Sequence, residues 1–91
     1  MNIFRLKEVT ETNYEDIDYL ILFFQDGAKY MVPIAAFSDI RPVEEHSWIG
    51  AQVHEEDDTT LVLLFKEKED VLDVYVDAKQ LRLFFDRLKI L

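Results

Sequence analysis

The chain has 91 residues, with 19 acidic against 10 basic side chains and a formal net charge of −9. At this length it is expected to be a single domain over residues 1–91 with one core, and its 49% hydrophobic content excludes the composition of a disordered chain. The lack of cysteine excludes a disulfide framework, a thiolate zinc site and a cysteine nucleophile.

The segment Ile3 to Val9 is read as a first strand. Next, Asp26-Gly27 separates the apolar runs Ile17–Phe24 and Tyr30–Val32, and Asp-Gly accepts the positive φ angles of a primed hairpin turn, which predicts strand, turn and strand over Asp18–Val32. Pro33 has no N–H to give to a ladder, so it should end that strand or mark a sheet edge, with Ile34–Asp39 as a helical turn or corner. From Ser47 to His54 the sequence alternates, with Ile49, Ala51 and Val53 on one face and Trp48, Gly50, Gln52 and His54 on the other. The turn Glu55-Glu56-Asp57-Asp58 then leads into Thr60–Phe65, an unbroken apolar run expected of a strand buried on both faces. A turn over Lys66–Asp70 precedes Leu72–Val76, which alternates as a half-buried strand does.

The one predicted helix is C-terminal. Asp77 is its cap, with Gln80 as capping-box partner; Leu81, Phe84, Phe85 and Leu88 share one stripe, and Lys79, Arg82, Asp86 and Lys89 face water. The expected fold class is α+β: a mostly antiparallel sheet or partial barrel of five to six strands with the C-terminal helix packed on it. A helix of about 13 residues covers one sheet face only, so two strands apolar on both faces require either a curled sheet or a second chain as cover.

The charge is uneven. Residues 1–7 carry +2, residues 8–58 carry −11, and residues 59–91 are balanced. The acids that stand out as candidate partner-binding groups are Glu15, Asp16 and Asp18, Glu44 and Glu45, and Glu55, Glu56, Asp57 and Asp58. Acidic turns keep a chain soluble and its edges unpaired, and a one-sided acidic field also steers a basic partner. Acids two apart, as in Asp16 and Asp18 or Glu67 and Glu69, would lie about 7 Å apart on one strand face and imitate a row of phosphates. Trp48, on a face it shares with polar residues and next to Glu44 and Glu45, joins the candidates as an anchor for a partner's arginine, or else covers the rim of the core.

Catalytic and metal motifs are missing. His46 and His54 stand at opposite ends of the Ser47–Val53 strand, roughly 25 Å apart, too far to share a metal. Neither Ser38 nor Ser47 lies in a nucleophile elbow, no glycine-rich phosphate loop occurs, and the acidic turn lacks EF-hand spacing. Direct nucleic-acid binding is disfavoured because basic side chains are few. No apolar run is long enough to span a bilayer, and Met1-Asn2-Ile3-Phe4-Arg5 lacks the order of a signal peptide. The reading is a non-enzymatic, cofactor-free cytoplasmic module that binds another protein with a basic surface. Its sharpest form is an inhibitor or nucleic-acid mimic. The alternative is a structural or assembly subunit, such as a homodimer, whose acidity serves solubility.

Overall fold

A computed structural model describes residues 3–39 and 47–89 of the chain; the side chains of 38–39 and 84–89 lie outside the description. The elements follow the order β1 (Leu6–Tyr14), β2 (Ile17–Phe24), β3 (Lys29–Pro33), a 3-10 helix (Ile34–Asp39), β4 (Trp48–Val53), β5 (Thr60–Glu67), β6 (Asp70–Asp77) and α1 (Ala78–Lys89). All pairings are antiparallel. The strands form two sheets of three, β1-β2-β3 and β4-β5-β6, in place of the single sheet expected.

That division answers the covering problem. Leu20, Leu22, Phe24 and Val32 of the first sheet and Leu61, Leu63 and Phe65 of the second are buried in one core, so each sheet is the other's cover. A fully buried leucine stabilises by about 1.5–3 kcal/mol, and this shared interior is the main favourable term. The helix follows directly on β6. It contributes Ala78 and Leu81 to the core, and its N-terminus is tied down twice: Asp77 Oδ1 accepts the Lys79 N–H at 2.9 Å, and the Ala78 N–H donates to Thr59 O at 2.9 Å. Phe84, Phe85 and Leu88 are among the side chains outside the description.

Arg82 departs from the expectation that it faces water. Its guanidinium lies 4.8 Å from the ring centre of Phe24 and 5.6 Å from that of Tyr30, and it grips Asp26 with two bonds of 3.0 and 2.8 Å. It also donates to the carbonyl of Ile3. An arginine that closes the end of the core joins helix, hairpin and N-terminal segment at one point.

The turns are partly as expected. At Asp26-Gly27 only Gly27 has positive φ, 94°, and the Gly27 N–H donates to Phe24 O at 3.1 Å while the Phe24 N–H donates to Ala28 O at 2.9 Å. This is a three-residue loop with a left-handed glycine, where a two-residue primed turn was expected. The two-residue turn with both φ angles positive lies elsewhere, at Glu15 (51°) and Asp16 (65°), between the paired Tyr14 and Ile17. Without asparagine or glycine, nothing local marks that turn in the sequence. Pro33 ends β3, an edge strand, as its missing donor requires.

Candidate interaction surface

Trp48 belongs to the interior, against the face assignment made from alternation. In the β4–β5 ladder Trp48 faces Phe65 and Gly50 faces Leu64, so Ile49 is an extra residue with no partner. This bulge reverses the alternation once: Trp48 comes onto the core side with Ala51 and Val53, and Ile49 turns outward, 49% exposed. The indole ring stacks on Phe37 at 6.4 Å, meets Phe65 edge-on at 5.3 Å, and donates from Nε1 to Glu11 Oε1 at 2.8 Å. It covers the rim of the core and is not an exposed anchor.

The candidate acids do not converge on one patch. Asp58 lies beside the start of β1, where its carbonyl accepts the Leu6 N–H at 2.6 Å, whereas Glu15 and Asp16 lie just beyond the far end of that strand. Nine residues of strand separate them by about 25 Å or more. Three of the carboxylates are engaged internally. Asp57 accepts bonds from Thr59 and Thr60, which hold its carboxyl below the usual range, and Asp58 is paired with Arg5 at 2.8 Å and bonded by Gln25, with the same effect. Asp18 accepts from the Asn13 side chain at 2.8 Å. Asp16 sits in a turn and Asp18 on a strand, while Glu67 ends β5 and Glu69 lies in the next turn, so neither pair forms a row along a strand face. Glu44, Glu45 and His46 lie outside the described residues.

Glu55 and Glu56 do contribute to a concavity, one that includes residues no sequence motif singles out. On the outer face of the second sheet, Gln52, Val62 and Tyr75 form one row across β4, β5 and β6, and Gly50, Leu64 and Asp73 the next. The short Val62, only 4% exposed, lies between the longer Gln52 and Tyr75, which leaves a depression along the middle strand. The resulting groove, about 310 Å³, is lined by Gln52, His54, Glu55, Glu56, Val62, Asp73 and Tyr75. Three carboxylates border it, and no lysine or arginine is in its lining. Tyr75 is 60% exposed, and its ring lies 5.6 Å from that of His54. The His54 Nδ1 accepts the Glu56 N–H at 3.1 Å, which leaves Nε2 as the ring's donor and seats the imidazole against the turn.

This arrangement can accept a cation: carboxylates supply charge and hydrogen-bond acceptors, and an exposed tyrosine face supplies a cation–π surface. Among the described residues no three His, Asp or Glu side chains are grouped to hold a metal ion, and no described helix is long and apolar enough to cross a membrane. Arg82 is engaged by Asp26, so it does not add to a basic stripe on the outer side of α1. No protein-family model matches the chain, and comparison with curated proteins and with solved structures finds no similar protein.

Proposed function

We propose that the protein is a non-enzymatic interaction module that receives a basic segment of a partner protein in the groove on its second sheet. The observation that carries this reading is the convergence of Glu55, Glu56 and Asp73 with the exposed ring of Tyr75 around one concavity that has no cation in its lining. An arginine entering there would pair with Asp73, lie against Tyr75 and leave its stem over Val62. A net charge of −9 attracts such a partner over distance and makes its association faster at low salt. Inhibition of a basic site is the specific activity this binding would produce. Imitation of a nucleic-acid backbone is the less supported form, since the acidic turns lie at opposite ends of β1 and Asp57 and Asp58 are engaged internally. A chain without cysteine loses nothing in a reducing compartment, and the proposal places the interaction in the cytoplasm.

The test is a titration of the ¹⁵N-labelled protein with an arginine-containing hexapeptide, followed by amide shifts. Saturable shifts are expected at Gln52, His54, Val62, Asp73 and Tyr75. Asp73→Asn combined with Tyr75→Ala should weaken binding about tenfold, the loss of one exposed ion pair and one cation–π contact. Shifts spread evenly over every acidic turn, or an affinity indifferent to the double variant, would sink the proposal.

A further inference from the structure

The outward face of the first sheet is largely apolar. Its ladder places Glu8, Phe23 and Lys29 in one row, Thr10, Ile21 and Met31 in the next, then Thr12, Tyr19 and Pro33, and last Tyr14 with Ile17. Only the first row carries charge, one of each sign, with the Lys29 ammonium 5.5 Å from the Phe23 ring centre. The other three rows are uncharged and end at the Glu15-Asp16 turn. Ile17 and Met31 are each 48% exposed and Tyr14 is 60% exposed, while the inward neighbours Leu20 and Val32 are 0% exposed. The core side chains of the second sheet, and Ala78 and Leu81 of the helix, lie on the inner side of this sheet and not on this face.

We infer that this face docks an amphipathic helix of a partner protein, with the basic end of that helix at the β1–β2 turn. Three strands about 4.8 Å apart and four rows about 6.7 Å apart make a surface of about 14 by 25 Å. One α-helix, about 10 Å wide and some 16 residues long, matches that outline. A second copy of this chain is disfavoured. Two molecules of charge −9 repel each other, and a second copy brings no excess of basic side chains to the acidic end of the face. Charge sets the polarity of the bound helix. The Glu8–Lys29 end is balanced and the Glu15-Asp16 end is doubly negative, so lysines or arginines gathered at one end of the ligand find their complement only in one direction.

The experiment titrates the full chain with a 16-residue peptide of leucine, alanine and lysine whose leucines follow helical spacing and whose lysines lie at one end. Saturable amide shifts are expected over Ile17–Phe23 and Lys29–Met31, and Met31→Glu should weaken binding at least tenfold. Replacing Glu15 and Asp16 by lysine should weaken this peptide severalfold and leave an uncharged counterpart unaffected. Circular dichroism checks that each variant folds, and Ile17→Glu serves if Met31→Glu does not. Tyr75→Ala should change nothing here, which separates this surface from the groove of the second sheet. Absence of saturable shifts on the outer face overturns the inference; so does sedimentation showing a dimer that Met31→Glu dissociates, because the occupant is then a second copy.

Discussion

Replacing Trp48 with alanine should cost stability, because the ring is part of the interior. About half of the 150–250 Å² that a tryptophan can bury is at stake, worth roughly 2–3 kcal/mol at about 25 cal/mol per Å². The stacked contact with Phe37 and the edge contact with Phe65 add about 1 kcal/mol, and the bond from Nε1 to Glu11 about 0.5 kcal/mol more. The sum, about 3.5–4.5 kcal/mol, falls in the range of tryptophan-to-alanine changes in cores and is a large part of the roughly 5–10 kcal/mol that holds a domain of this size. Urea unfolding followed by far-ultraviolet circular dichroism reads the loss without needing the tryptophan as probe. With a slope of about 1–1.5 kcal/mol per M, the midpoint should fall by about 2.3–4.5 M. Trp48→Phe should keep most of the ring packing, forfeit the bond to Glu11 and lose about 1 kcal/mol. A Trp48→Ala protein within about 0.5 kcal/mol of the parent would refute the inward placement of the ring and the bulge that produces it.

Replacing Glu15-Asp16 with Asn-Gly should stabilise the fold by about 0.5–2 kcal/mol, since both positions have left-handed backbone that these residues accept with less strain; a raised urea midpoint checks it. The same exchange removes the negative end of the outer face, so the lysine-ended helical peptide should bind severalfold more weakly although the protein is more stable. Acid should destabilise through Asp26, Asp57 and Asp58, whose carboxyls are held low by Arg82, by the Thr59 and Thr60 donors, and by Arg5 respectively. Each has its full stabilising effect above the ordinary carboxylate value of about 4 and loses it as pH falls through the lowered native value. Asp57→Asn should therefore lower the urea midpoint at pH 7 and flatten its fall below pH 4; an unchanged profile would remove Asp57 from this account.

Much of the fold is legible in local pattern. Alternation and apolar runs mark five of the six strands, while the first, read at Ile3–Val9, runs Leu6–Tyr14; Asp77 marks the helix start, Pro33 marks a strand end, and Gly27 marks a turn, because each depends on a residue's own backbone preference or on neighbours two to four positions away. What depends on distant partners was not legible. One unpaired residue, Ile49, moves Trp48 from the solvent side to the core, and a bulge is defined by the ladder opposite it, not by the sequence that contains it. Arg82 fits the polar side of a helix by spacing alone; only the arrival of Asp26, Phe24 and Tyr30 makes it part of the closure of the core. The groove likewise draws on three strands and a turn, and Asp73 and Tyr75 are ordinary exposed residues of β6 until Val62 and His54 are set beside them. Composition determined that this protein is acidic, and residue order that its excess charge ends at Asp58. Tertiary structure decided which of those acids are internal partners and which face solvent, because pairing between strands, unlike charge, is a property of positions far apart in the chain.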